Sequence, residues 1–95
     1  MSISTQERLS AQVTGRVQGV GFRHFVRTQA SRRDLAGWVK NESDGSVRVE
    51  AEGPRDDLED LLDALRDGPR AAKVQDVSAD WQDASGDFEI FEVRH

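Results

Sequence analysis

The length and composition of this chain, 95 residues without cysteine, suit one domain with a single core and exclude a disulfide framework, a thiolate metal site and a cysteine nucleophile. Its formal net charge of −5 argues against general nucleic-acid binding. No apolar run reaches the roughly 20 residues that span a bilayer, and the N-terminus lacks the pattern of a signal peptide, so we expect a cytoplasmic protein with no membrane partner.

The first predicted elements are a strand and a helix joined by a glycine-rich loop. Residues 1–7 are polar and unpatterned, so we expect a loose tail there and one domain over 8–95. Apolar and polar residues alternate over 8–13, which is the period of a half-buried strand. After the loop, apolar residues at helical spacing predict a helix over 22–33 with one face on the sheet.

The next two predicted elements are strands that form a hairpin. Residues 35–42 read as a strand that places Asn41 on the opposite face from Trp38. The dipeptide Asp44-Gly45 favours a tight turn, and alternation resumes over 47–52. These two strands should therefore be antiparallel neighbours.

A second helix and two further strands complete the prediction. Gly53-Pro54 and the acidic residues after it favour a helix start, and Gly68-Pro69 favours its end. Four leucines between these points fall at i, i+3, i+4 and i+7, which is typical of a core-facing stripe: Leu58, Leu61, Leu62 and Leu65. We predict a fourth strand over 74–81 and a short fifth over 88–93, with a turn at 85–87 between them.

The order of these elements predicts an α+β fold. The order βαββαβ, with one extra hairpin strand at the C-terminal end, is that of the ferredoxin-like split βαβ arrangement, in which two helices lie on one face of an antiparallel sheet. RNA-binding domains, metal carriers and ligand sensors share this order, so function must be argued from the site residues.

The glycine-rich loop is the strongest candidate for a ligand site. Gly15, Gly19 and Gly21 allow positive φ angles and leave room for main-chain N–H groups to converge on an anion at the start of the predicted helix. Arg23 adds a planar fork of donors. The loop matches neither a nucleotide P-loop nor a dinucleotide fingerprint. Glycine content alone would favour a plain strand-to-helix connection.

The other basic residues near the loop are interpreted more simply. Arg16, Arg23 and Arg27 surround the loop, where a local positive island can focus a small anion. Arg27, Arg32 and Arg33 are nevertheless interpreted as a solvated helix face. His24 lies about 100° around the helix from Arg23, so we expect it to be solvated or locally paired and not a catalyst. Only two histidines are present, which argues against a zinc site or a Ser-His-Asp triad.

The sequence resembles the acylphosphatase family over nearly its whole length. The resemblance rests on Gly15-x-Val17-Gln18-Gly19-Val20-x-Phe22-Arg23, where x is any residue, and continues through Gly37-Trp38-Val39-Lys40-Asn41, Asp44-Gly45-x-Val47 and Glu52-Gly53. It implies a small α/β sandwich that hydrolyses the carboxyl-phosphate bond of acyl phosphates, giving carboxylate and orthophosphate without a metal or cofactor.

The same resemblance implies roles for individual residues. Asn41 would orient the attacking water, and Gly15 would support the loop structurally. The phosphate would be bound by the Arg23 side chain and by loop N–H groups drawn from Gln18, Gly19, Val20, Gly21, Phe22 and Arg23. An asparagine beside a hairpin is otherwise usually a turn residue. Glu42 departs from the threonine that is frequent in the family, and strand alternation should point it away from Asn41. No general base is assigned.

The partners implied are a small acyl phosphate as substrate and phosphate as a product inhibitor, with the protein acting as a monomer. Two alternatives stay open. An RNA-binding module is disfavoured because residues 47–52 contain no aromatic residue. The second alternative is a module that binds phosphate or a carbamoyl phosphate within a larger assembly. The chain length and the presence of both Arg23 and Asn41 favour an independent enzyme over this module.

Overall fold

The computed structural model of the chain describes residues 6–95, which form a five-stranded sheet and two helices. In chain order the elements are β1 (Gln6–Arg16), α1 (Phe22–Arg32), β2 (Ala36–Asn41), β3 (Val47–Pro54), α2 (Arg55–Asp67), β4 (Lys73–Asp83) and β5 (Phe91–Arg94). The predicted order βαββαβ with a short C-terminal strand is confirmed, and so is the ferredoxin-like α+β class.

The strands lie in the order β4-β1-β3-β2-β5, so the sheet has β1 and β3 near its centre. The pairs β1–β3, β1–β4 and β2–β3 are antiparallel, as predicted for the hairpin of β2 and β3. The pair β2–β5 is parallel. The sheet is therefore mostly antiparallel, with one parallel pair at its edge.

The prediction that the last strand forms a hairpin with the strand before it is wrong. Strands β4 and β5 lie at opposite edges of the sheet, and β5 begins at Phe91 instead of residue 88. The predicted turn at 85–87 carries the chain across the sheet, and its backbone is held there by Glu52. The side chain of Phe91 is buried in the core, which fixes β5 beside β2.

Two residues that were predicted to lie in the N-terminal tail belong to the first strand instead. Gln6 and Glu7 belong to β1 and pair with Pro54 and Gly53 of β3. Both are polar, so the alternation that marks a strand could not include them. Residues 1–5 of the predicted tail lie outside the described residues.

The core lies between the helices and one face of the sheet. The leucine stripe of α2 is buried as predicted, at Leu58, Leu61, Leu62 and Leu65. Full burial of one such side chain stabilises the folded state by roughly 1.5–3 kcal/mol. This stripe therefore contributes much of the free energy that holds α2 against the sheet. Helix α1 buries Phe22, Val26 and Ala30 and packs against β2, β5 and α2. This packing fixes the N-terminus of α1 beside the ends of β2 and β5.

Candidate functional site

A pocket of about 350 Å³ opens at the N-terminus of α1. It lies between the glycine-rich loop, the first turns of α1, the end of β2 and the residues at the end of β5. Five of the residues to which the sequence assigned a site role line it: Gly19, Gly21, Phe22, Arg23 and Asn41. The structure therefore brings the loop, the arginine and the asparagine to one cavity.

The backbone of the loop requires glycine for its conformation. Gly21 caps the N-terminus of α1 with φ 78° and ψ 18°, in the left-handed region, and Gly19 has φ 74°. A Cβ atom at either position would meet nothing within 4 Å, so the constraint is the dihedral angle and not the space around it. No side chain caps the helix, and its first turn contains no acid. This helix end therefore suits an anion, to which the dipole and the first-turn N–H groups are attractive.

Two of the loop residues turn their side chains elsewhere. The Nε2 atom of Gln18 donates to the backbone oxygens of Glu42 and Ser46, at 2.8 and 2.9 Å, and so ties the loop to the β2–β3 hairpin. Val20 packs partly buried against the core. Neither residue lines the pocket. Any phosphate contact from Gln18 or Val20 would have to come from its main chain, and this part of the prediction stays a prediction.

Gly15 lies in β1 at a break in the strand register, before the loop begins. The pairing with β4 shifts between Thr14 and Gly15, and Gly15 has φ 124°. A Cβ atom there would clash with the carbonyl oxygen of Lys73 and would lie 2.7 Å from the backbone nitrogen of Gln75. Gly15 does not line the pocket. The close approach of β4 thus supports the structural role predicted for this glycine.

Arg23 extends from the first turn of α1 toward the end of the chain. Its Nη1 atom donates to the backbone oxygen of Arg94 at 3.0 Å and lies 3.0 Å from Nδ1 of His95. Because a guanidinium can only donate, Nδ1 of His95 acts as the acceptor in this contact. Both partners are uncharged acceptors, so they orient the arginine without neutralising its charge.

Asn41 is the last residue of β2 and pairs with Val47 of β3. It is half-buried and lines the pocket from the end of β2. Glu42 follows outside the strand, where its backbone nitrogen donates to Ser46 at 2.8 Å, and it does not line the pocket. The amide of Asn41 is therefore available to the cavity, while Glu42 adds no carboxylate to its wall.

Sequence reasoning gave no site role to five other residues that line the pocket: Val17, His24, Arg27, Val93 and His95. Arg27 is exposed, as its interpretation as part of a solvated face predicted, and it also lies one helical turn after Arg23 on the side of α1 that borders the pocket. That spacing was the signal that could have identified it. No local signal pointed to Val93 or His95, because their position depends on the parallel pairing of β5 with β2.

His24 is exposed and locally paired, as expected. Its Nδ1 atom lies 3.3 Å from Nη2 of Arg27. Both residues line the pocket, and no Asp or Glu residue of the described chain lines it. The wall therefore carries the fixed positive charges of Arg23 and Arg27 together with two imidazole rings.

Two features of the described residues bear on other classes of protein. Within residues 6–95, no group of three or more His, Cys, Asp or Glu side chains is arranged to hold a metal ion. No helix in the described part of the chain is long and apolar enough to cross a membrane.

Comparison with known proteins identifies the family. A family model described as Acylphosphatase matches residues 9–93. The chain belongs to the acylphosphatase family. An acylphosphatase of Salinibacter ruber is 60% identical over 94 residues, which are 99% of each chain. The crystal structure of the acylphosphatase from Bacillus subtilis superimposes with a TM-score of 0.90 at 40% identity, covering 94% of this chain and 99% of that one. The predicted family, fold and enzyme class, a hydrolase acting on acid anhydrides, are confirmed.

The acylphosphatase fold also matches a small part of a longer protein. The crystal structure of HypF from T. kodakarensis has a TM-score of 0.79 at 30% identity, and the match covers 92% of this chain but 12% of that chain. An acylphosphatase domain can therefore form part of a larger chain, which is the arrangement considered in the second alternative above.

Proposed function

We propose that this acylphosphatase hydrolyses the carboxyl-phosphate bond of small acyl phosphates in the pocket at the N-terminus of α1. The observation that carries the proposal is that one cavity is lined by the glycine loop, Arg23 and Asn41. These residues come from separate parts of the sequence, and they provide a place for an anion, a cation to bind it and an amide to hold a water.

The phosphate group is held by the main chain of the loop and by Arg23. Gly19 and Gly21 give the backbone a course that an L-residue would adopt only with strain, and the uncapped first turn of α1 adds N–H donors and the positive end of the helix dipole. Arg23 exchanges its uncharged acceptors, the Arg94 carbonyl and His95, for phosphate oxygens. The phosphate oxygens carry negative charge and the present acceptors do not, so the added attraction to the guanidinium favours this exchange.

The chemical step is an in-line attack of water on phosphorus. Asn41 can accept from and donate to the same water, and it fixes that water without adding negative charge beside the substrate. As the new P–O bond forms, the bond from phosphorus to the bridging acyl oxygen breaks and its electron pair leaves with the carboxylate. One water is consumed, one carboxylate and one orthophosphate are released, and Arg23 and the loop stabilise charge on the equatorial oxygens.

The remaining parts of the proposal concern conditions and partners. A carboxylate is a good leaving group, so the reaction proceeds without a metal or cofactor, and orthophosphate inhibits as a product that fits the same site. The domain over 8–95 acts as a cytoplasmic monomer. The alternative of a binding module within a larger assembly is favoured only by the match to part of HypF.

Turnover by the isolated protein tests this function. Purified protein should release phosphate from acetyl phosphate, and activity should be unchanged by a chelator. The Arg23→Ala variant, prepared in the same way, controls for a contaminating phosphatase and should lose about 100-fold or more in rate. Phosphate binding without turnover would contradict the enzyme and support the binding module, and restoration by Mg²⁺ or Zn²⁺ after chelation would contradict metal independence.

A further inference from the structure

The pocket contains a second arginine that phosphate binding does not require. Arg27 lines the cavity with Arg23, and the loop and Arg23 already provide donors for one phosphate group. We propose that Arg27, oriented by His24, selects acyl phosphates whose acyl group carries a negative charge of its own, an inference that rests on the proposed function.

The geometry of α1 places the two guanidinium groups in succession along one side of the pocket. Residues four apart on a helix are neighbours on its surface, and one turn of the helix spans about 5.4 Å. Arg23 reaches toward Arg94 and His95, whereas Arg27 contacts His24. The two charges are thus held by different partners, and they can contact different ends of one ligand.

The contact with His24 orients Arg27 without satisfying its charge. Nη2 of Arg27 lies 3.3 Å from Nδ1 of His24, and the arginine donates because it has no acceptor. No acid stands three or four residues from Arg27 in the sequence, and the position four residues before it is another arginine, Arg23. Like charges at this spacing destabilise an isolated helix, so the pair is better suited to an anionic ligand than to the helix itself.

The charge and shape of the cavity fit a substrate with two anionic ends. No Asp or Glu residue of the described chain lines the pocket, while Val17, Phe22 and Val93 give it an apolar wall. A short acyl chain can contact this wall when its phosphate lies in the loop. A carboxylate at the far end of the chain would then meet the guanidinium of Arg27, to which it can bind through two parallel hydrogen bonds.

Two substrates of matched length test the assignment. Succinyl phosphate and butyryl phosphate have the same four-carbon chain, and only the first carries a terminal carboxylate. The measured quantity is the ratio of kcat/KM for succinyl phosphate to kcat/KM for butyryl phosphate. In Arg27→Gln this ratio should fall about threefold to tenfold, because a charge-assisted contact at a partly solvated site is weaker than a buried one. Arg27→Lys should give an intermediate ratio, and Arg27→Glu a ratio below that of Arg27→Gln.

Arg32→Gln is the matched control. Arg32 lies in the last turn of the same helix, is exposed and does not line the pocket, so its loss changes the net charge equally but removes no contact. The ratio should stay at the wild-type value in this variant. An equal fall in Arg32→Gln, or an unchanged ratio in Arg27→Gln and Arg27→Glu, overturns the inference alone. If wild-type protein hydrolyses neither substrate, the proposed function is wrong and this inference falls with it.

Discussion

Arg23 and Asn41 reach the same pocket from different elements, and this difference decides what each substitution should do. Arg23 stands at the start of α1 beside the loop, and Asn41 stands at the end of β2. In the proposed mechanism the first contacts phosphate in every bound state, while the second contacts only the attacking water. Substitution of Arg23 should therefore affect both phosphate binding and rate, whereas substitution of Asn41 should affect mainly the rate.

Asn41→Ala should lower kcat by about 100-fold or more, because a positioned water is lost from the transition state. Competitive inhibition by orthophosphate should change little in this variant, since the loop and Arg23 remain. Arg23→Ala should damage both kcat and phosphate inhibition. Steady-state kinetics with orthophosphate as inhibitor measure both quantities, and circular dichroism checks that each variant is folded. Full kcat in folded Asn41→Ala would show that another residue orients the nucleophile.

Glu42→Thr is the control for that comparison, because it changes the neighbour of Asn41 without touching the pocket wall. Glu42 bonds to Gln18 and Ser46 through its backbone, and those bonds survive the substitution. Activity should be equal to or better than that of the wild type. A large loss would mean that the Glu42 side chain contributes to the site from outside the cavity.

Single residues also show where sequence reasoning was sufficient and where it was not. Arg23 was predicted from its place directly after the glycines and Asn41 mainly from the family resemblance, and both line the pocket. Arg27 was assigned to a solvated face and is exposed, but its spacing of one helical turn from Arg23 was not used to place it beside the same pocket. His95 contacts Arg23 across 72 residues, and no periodicity can report a contact of that separation.

At the scale of elements, the sequence predicted correctly those features that depend on residues close together in the chain. The leucine stripe of α2 is buried because its period matches the helix, and the Asp44-Gly45 turn connects β2 and β3 as expected. Strand β5 was joined to the wrong neighbour because hairpins between successive strands are the commonest connection. The segment that crosses the sheet is held instead by hydrogen bonds to the Glu52 carboxylate and by the bond from the Gly37 nitrogen to the backbone oxygen of Ile90.

Glu52 links the crossing segment to the centre of the sheet. Its side chain is buried, and its carboxylate accepts hydrogen bonds from the backbone nitrogens of Ser85 and Gly86, at 2.9 and 3.0 Å, and from the Ser85 hydroxyl at 2.8 Å. Burial raises the pKa of Glu52, but these hydrogen bonds and the charge of Arg8 outweigh it, so the pKa lies below its ordinary value. The carboxylate is therefore stabilised in the folded state as an anion.

The lowered pKa of Glu52 predicts a loss of stability in acid. A folded state with a lower pKa binds fewer protons than the unfolded chain, so the contribution is fully present above the unfolded value of about 4.3 and is lost as pH falls through the folded value. Glu52→Gln should be destabilised by about 1.5–3 kcal/mol at pH 7, and its difference from the wild type should shrink toward pH 3. Urea unfolding at several pH values measures this difference.

Ser85→Ala provides an intermediate case for the same measurement. It removes the hydroxyl donor to Glu52 but keeps the two backbone donors, so the loss at pH 7 and its dependence on acid should both be smaller than in Glu52→Gln. A difference between wild type and Glu52→Gln that is constant from pH 7 to pH 3 would contradict the role given to the carboxylate.

At the scale of the whole molecule, the site depends on elements from both ends of the chain. The loop follows β1, Asn41 ends β2, and His95 follows β5, so the pocket is complete only when β5 lies beside β2. A ligand that binds this pocket therefore binds the folded state and not the unfolded chain. By mass action, such a ligand raises the free energy of unfolding.

Orthophosphate should raise the Tm of the protein through this linkage. At a concentration ten times its Kd it stabilises by about 1.4 kcal/mol, which for a domain of this size corresponds to roughly 5–10 °C. Phosphate also stabilises proteins generally because it is excluded from their surfaces, and the Arg23→Ala variant measures that general part. The shift should be much smaller in Arg23→Ala and nearly intact in Asn41→Ala, since only the first loses a phosphate donor. Equal shifts in wild type and Arg23→Ala would mean that phosphate binds elsewhere or not at all, and would remove the phosphate-binding role from the loop.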